Sequence, residues 1–195
     1  MTIDQRIRLG VDLDGIISSL WNEFRKEAKK LYGADLPDED TLTEYDVEKC
    51  ADITADEVTA IFRRGDVFKN PKVIYGAKRC LKKLSKTHSI HIITHRDCYH
   101  GIKKDTIEWL SRNNITYDTV TFTDDHKAPH VIEKDVDYMI ENKGETALEL
   151  AEMGQKMILL DYPYNRRFDH ELIIRTYSWH DILDKLVEID EDEYV

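Results

Sequence analysis

Two carboxylates close an apolar run near the start of the chain, where Ile7-Arg8-Leu9-Gly10-Val11 leads into Asp12-Leu13-Asp14-Gly15. In extended chain, residues two apart point to the same side, so the spacing aims both acids one way. One acid can then attack while the other moves a proton, and that division of labour suits phosphoryl transfer. The pair also has the composition of a helix N-cap, since Asp accepts hydrogen bonds from unpaired backbone N–H groups.

A phosphate ester resists hydrolysis because an approaching nucleophile meets a shell of negative charge, so a site must add cations and hydrogen-bond donors. Three later pieces supply them. Ile92-Ile93-Thr94-His95-Arg96 is a second apolar run and closes on a hydroxyl. Asp124-Asp125-His126-Lys127-Ala128-Pro129 carries a lysine, and Val136-Asp137-Tyr138-Met139-Ile140-Glu141-Asn142 is a third apolar run, ending in oxygen ligands. In this order the four pieces resemble the motifs of the haloacid-dehalogenase (HAD) phosphohydrolase superfamily, and the resemblance spans most of the chain.

The resemblance implies that Asp12 attacks phosphorus to form an aspartyl-phosphate. Asp14 would protonate the leaving group and later activate water, Thr94 would donate to a phosphoryl oxygen, and Lys127 would balance charge. Lys134 is the alternative lysine. Oxygen-only ligands favour hard Mg²⁺, which Asp12, the backbone carbonyl of Asp14, and Glu141 or Asn142 would hold. The family usually has Asp-Asp where this chain has Glu141-Asn142, which leaves the direct ligand open. Asp137 is read as capping or orienting its strand, and His95 and His126 as neighbours without a catalytic role.

Within the superfamily the chain is similar to the 5'(3')-deoxyribonucleotidase branch and its bacterial nucleotidase relatives. Pro163-Tyr164-Asn165-Arg166, inside Asp161–Arg166, resembles an element of those relatives. The implied substrate is a nucleoside monophosphate, with Trp21, Phe68, His95, Arg96 and Arg166 as substrate-binding candidates. Tyr45 is a further aromatic that can stack on a base, whereas Phe24 is assigned to core. Alternatives are a HAD phosphatase for a sugar phosphate or polynucleotide end, and a noncatalytic HAD-like phosphate-binding protein. A signalling receiver domain uses similar residues, but in a different order.

Helical spacing of Leu20, Trp21, Phe24, Ala28 and Leu31 predicts a helix over 18–32. An acidic irregular stretch over 33–52 follows, then a helix over 54–64 capped by Thr54 and ended by Gly65-Asp66. Further helices are expected over 75–85, from about His100 to Asn113, from Pro129, over 145–153 and from Trp179. Strands are expected over 89–94, 119–122, 136–140, 156–160 and 172–176. Strands alternating with helices predict an α/β fold, a Rossmann-like parallel sheet covered by helices on both faces. Residues 17–72 read as a small helical cap inserted after the first strand, and residues 1–16 and 73–195 as the core domain. The acidic end, Glu188–Glu193, reads as a solvated terminus.

A net charge of −11 over 195 residues argues against duplex nucleic acid as a partner, because backbone affinity comes from clustered Lys and Arg. Cys50, Cys80 and Cys98 are odd in number and widely spaced, so neither a disulfide framework nor a zinc site is suggested. With no apolar signal core at the N-terminus and no membrane-length apolar run, a soluble cytoplasmic protein is expected. Nothing in the sequence fixes the oligomeric state.

Overall fold

Runs such as Leu9-Gly10-Val11 and Met139-Ile140 are apolar on both sides of the pleat, and such strands are stable only where both sheet faces are covered. The computed structural model, which describes residues 6–49, 52–64, 66–96, 101–123 and 126–193, places them at the centre of a sheet. In chain order the elements begin with β1 (Arg8–Val11), β2 (Ser18–Ser19), α1 (Leu20–Tyr32), α2 (Ala55–Arg64), β3 (Lys72–Val73) and α3 (Ala77–Leu84). They continue with β4 (Ser89–Thr94), α4 (Ile102–Arg112), β5 (Thr119–Phe122), α5 (Ala128–Glu133) and β6 (Tyr138–Glu141). The last are α6 (Gly144–Glu152), β7 (Lys156–Leu160), β8 (Ile173–Thr176) and α7 (Trp179–Glu193).

The main sheet has six strands in the order β5-β4-β1-β6-β7-β8, all pairs parallel. Val11 stands opposite Ile92 on one side and Ile140 on the other, so β1 is the central strand that β4 and β6 flank. Alternate residues feed opposite faces. Ile92, Ile140 and Ile158 pack with Leu81 of α3, Trp109 of α4 and Ile182 of α7, while their neighbours Ile93, Met139 and Met157 pack with Val131 of α5 and Leu150 of α6.

Between β1 and β4 the chain departs through β2 and returns through β3, which pair antiparallel with Ser18 opposite Val73. The cap lying between them has its own apolar cluster, including Phe24, Ala28, Ile61, Val67 and Phe68, with Ile102 of α4 packed into it. Helix α1 stops at Gly33, whose φ of 68° is left-handed and whose N–H reaches back to the Lys29 carbonyl. Helix α2 starts with a capping box. The Thr54 N–H donates to Glu57 Oε2 at 2.9 Å and the Glu57 N–H to Thr54 Oγ1 at 3.3 Å.

One expectation shifts. Strand β6 runs to Glu141, so that residue is the strand's last rather than the first beyond it. The acidic end is helical, with α7 continuing to Glu193, and Glu188 and Glu191 are exposed on it. Ile182, Leu186 and Ile189 keep helical spacing on the side facing the core. Cys80 is buried with a free thiol. The readings at Cys50, Gly65, Cys98, His100 and the Asp124-Asp125 pair fall outside the described residues. Among the described residues no helix is long and apolar enough to cross a membrane.

Candidate active site

Asp12 follows β1, Thr94 ends β4 and Glu141 ends β6, so three adjacent strands deliver their last side chains to one edge of the sheet. That edge lies outside the C-terminal strand ends, at the point where strand order reverses, which is the usual ligand position in open α/β sheets. The Asp12 N–H donates to the Ile140 carbonyl at 2.9 Å and locks the β1 end to β6. From the start of α5, Lys127 Nζ reaches Asp12 Oδ1 at 2.7 Å and Glu141 Oε2 at 2.6 Å. Glu141 Oε1 also accepts the backbone N–H groups of Asn142 and Lys143, at 2.9 and 3.0 Å.

All three groups are largely withdrawn from water, with 9% side-chain exposure for Lys127 and Asp12 and none for Glu141. Burial pushes the Asp12 carboxyl above its ordinary value and the neighbouring Glu141 adds to the shift, against the pull of Lys127. Burial also opposes ionisation of Glu141, but Lys127 and the two backbone amides outweigh it and hold Glu141 low. Lys127 is raised, because the two carboxylates overcome the burial penalty on its charge. Two buried carboxyls thus share one ammonium: Glu141 is held as the ionised partner, and Asp12 is the one whose charge is disfavoured.

Asp14 is held from behind. Arg96 Nε donates to Asp14 Oδ2 at 2.8 Å and Nη2 to Oδ1 at 2.5 Å, a two-pronged grip from a guanidinium with no exposure. Arg96 Nη1 donates to Thr106 Oγ1 at 3.0 Å, and the guanidinium lies over the Phe68 ring at 4.9 Å. Gly15, with φ at 78°, turns the chain just past Asp14, and a Cβ there would fall 2.0 Å from Asn142 Nδ2. Only glycine permits that close approach.

A cavity of about 640 Å³ opens between these strand ends and the cap. Of the substrate-binding candidates, Trp21, Phe68 and His95 line it. Arg96 does not face the cavity, because its guanidinium is fully buried on Asp14 and Thr106. Arg166 also stays outside the lining and pairs with Asp161 at 2.8 Å on the surface. Phe24 is 1% exposed within the cap cluster and borders the cavity as well. Lys134 closes α5 away from the lining, and Asp137 Oδ2 accepts the Arg8 N–H at the far end of β1.

The cavity also includes residues that sequence spacing did not single out, chiefly Glu39 and Lys143. Burial, followed by Asp14, pushes the Glu39 carboxyl up to about 7. Lys143 Nζ lies over the Tyr45 ring at 5.0 Å, and Tyr45 meets Tyr164 edge-on at 5.6 Å. Glu39 and Tyr45 come from an irregular stretch with no periodicity. Tyr164 belongs to the Pro163–Arg166 element, where its position was the only sequence signal.

Residues 5–190 match the family described as 5' nucleotidase, deoxy (pyrimidine), cytosolic type C protein. The chain belongs to this nucleotidase family. It is 26% identical over 195 residues to a nucleotidase of Clostridium acetobutylicum, covering 96% of this chain and 98% of that one. It is 29% identical over 177 residues to YqfW of Bacillus subtilis, which carries a provisional nucleotidase name, covering 89% and 90%. Its fold is similar to that of a haloacid dehalogenase-like hydrolase from Streptococcus pneumoniae, with a TM-score of 0.64, 14% identity, and coverage of 94% and 100%. The nucleotidase-family protein is therefore a phosphatase on the HAD fold.

The residues of this nucleotidase-family site fit a hard divalent cation. Among the described residues, Thr94 Oγ1 and Asn142 Oδ1 are buried side-chain oxygens with no hydrogen-bond partner. An unsatisfied buried acceptor is costly unless a ligand completes it. Asn142 Oδ1 and an Asp12 oxygen, with the Asp14 backbone carbonyl, would make an oxygen-only donor set of the kind Mg²⁺ takes. Both Glu141 oxygens are already committed to Lys127 and backbone amides, which makes Asn142 the free donor of the pair. Among the described residues no three His, Cys, Asp or Glu side chains form a metal-holding group, so a site here would need the neutral amide and a backbone carbonyl.

Proposed function

We propose that this protein is a Mg²⁺-dependent phosphomonoesterase acting through an aspartyl-phosphate on Asp12, with (deoxy)nucleoside 5'-monophosphates as substrates. The observation carrying the reading is the buried Asp12 carboxylate, 2.7 Å from Lys127, at the strand edge that also presents the unpartnered Thr94 hydroxyl. Asp12 Oδ attacks phosphorus as the ester P–O bond breaks, and Asp14 gives its proton to the leaving oxygen. Water then attacks phosphorus as Asp14 takes its proton, and the acyl-phosphate P–O bond breaks to return Asp12 and inorganic phosphate. Lys127 and Thr94 hold phosphoryl oxygens throughout. Asp12, the Asp14 carbonyl and Asn142 would hold Mg²⁺, which supplies positive charge against the phosphoryl oxygens.

Arg96 occupies one lone pair on each Asp14 oxygen and leaves others for a proton, so it orients the acid without blocking it. Chelation should stop turnover and Mg²⁺ should restore it; activity that survives exhaustive chelation would remove the metal from the scheme. For the substrate, the cap's aromatic wall supports a stacked base. Nucleoside monophosphates should then exceed a generic phosphate ester in kcat/KM, because remote binding energy is used at the reacting centre.

Trp21 and Phe68 should respond differently. The Trp21 ring borders the cavity with its Nε1 bonded to the Pro37 carbonyl at 3.0 Å. Trp21→Ala should erase about tenfold of the nucleotide preference while sparing the generic ester, given roughly 1–3 kcal/mol for stacking one base. Phe68 supports Arg96 beneath Asp14, so Phe68→Ala should lower turnover of both substrates. A substrate panel in which sugar phosphates win would reject the nucleotidase reading and keep the phosphatase.

A further inference from the structure

We propose that Tyr164 is a positioning residue of the cation site: its hydroxyl accepts the Asn142 amide N–H and so allows Asn142 Oδ1 to face the ion. The proposal rests on the Mg²⁺ reading above and adds a residue that touches neither ion nor substrate. Asn142 Nδ2 lies 2.8 Å from the Tyr164 hydroxyl, while Oδ1 on the other side of the same amide has no partner among the described residues. The two ends of an amide have nearly the same shape, so packing does not choose between them and hydrogen bonding must. An amide oxygen can ligate a cation and an amide NH₂ cannot. Turning the oxygen to the ion leaves the NH₂ inside the protein, where Asn142 is 4% exposed. It needs an acceptor there, and the Tyr164 hydroxyl supplies it.

The surrounding segment fixes both rims of the site. Tyr162, stacked on Tyr164 at 5.2 Å, donates its hydroxyl hydrogen to the Gly15 carbonyl at 2.9 Å, beside Asp14. Asn165 Nδ2 donates to the Asn142 carbonyl at 2.8 Å. Arg175 Nη1 holds Asn165 Oδ1 at 2.8 Å. Residues 162–165 therefore bracket the Asp14–Gly15 turn and Asn142 together, and Tyr164 reaches the ligating side chain itself.

Tyr164→Phe keeps the ring and its stacking but removes the acceptor. Without the ion the amide can turn away, so the loss falls on the ion-bound state. Calorimetric titration of Mg²⁺ into the full chain should show affinity weakened about tenfold, within the range for removing an orienting partner of a metal ligand. In an Asn142→Ala protein the same Tyr164→Phe change should leave Mg²⁺ affinity within twofold, because the hydroxyl acts only through Asn142. Unchanged affinity of Tyr164→Phe, or an equal loss in the Asn142→Ala protein, would overturn the proposal. Should Tyr164→Phe fail to fold, the wild-type Asn142 side-chain amide resonances should move as Mg²⁺ is added, and their indifference would overturn it too. A wild-type chain that binds no Mg²⁺ would reject both this proposal and the metal reading, whereas a wild type that binds with an unaffected variant rejects this proposal alone.

Discussion

Asp12→Asn is expected to lower kcat by about 10⁴-fold or more, the scale of losses when a nucleophile is deleted from a covalent mechanism. An amide at this position cannot form an acyl-phosphate, and among the described residues no other carboxylate is shown with the same relation to Lys127 and Thr94. Glu141 is fully buried with both oxygens committed, and Asp14 is gripped by Arg96. The fold should survive. Burial and Glu141 disfavour the charged form of Asp12, so a neutral residue of equal size is accepted there while Glu141 keeps its bond to Lys127. Without added Mg²⁺, thermal melting of the variant should be unchanged or shifted upward, the exchange of stability for function expected at an active site. Phosphate release measured on the folded variant decides the matter: near-wild-type turnover would end the aspartyl-phosphate mechanism.

The strand ends were the legible part of this molecule. Asp12, Thr94 and Glu141 each close a run of apolar residues, and such a run with a polar last residue is a local signal that needs no knowledge of partners. The parallel sheet followed from the alternation of those runs with helical spacing. The two misread arginines show what local signals omit. Arg96 follows Thr94 by two residues and looks like a cation aimed at phosphate, yet its partner Asp14 is 82 positions away and its shelf, Phe68, comes from the cap. Arg166 sits in a motif-like element, but Arg175 of β8 is the arginine that turns inward to Asn165 and the Phe168 carbonyl. Glu39 opens a single short turn of helix, where no period links residue type to direction. At the acidic end the stripe Ile182, Leu186 and Ile189 sets the helix, while Glu188 and Glu191 stay exposed.

Lys127→Ala should be the most damaging single change for stability and catalysis together, and Lys134→Ala should be mild. The lysine is the single ammonium between Asp12 and Glu141, and removing one partner of a buried ion pair costs about 3–5 kcal/mol because the opposite charge is left uncompensated. Loss of its hold on the phosphoryl oxygens should lower kcat/KM by a further 10²–10³-fold or so, the usual scale for one donor in an electrostatic site. The stability deficit should depend on pH, with a definite sign. In the wild type Asp12 is already raised and Glu141 is held low, and Lys127 pulls both down, so deleting the lysine raises Asp12 further above its unfolded value and releases Glu141 upward. A folded state that binds protons more tightly than the unfolded chain loses stability as pH rises through that window. The gap between variant and wild type should therefore be small in acid, where the pair is protonated, and full above neutrality. Denaturant unfolding at about pH 5 and pH 8 reads it directly. A deficit that grows in acid would contradict the shared-ammonium account, and a greater catalytic loss from Lys134→Ala would show that the phosphoryl group is held by the other end of α5.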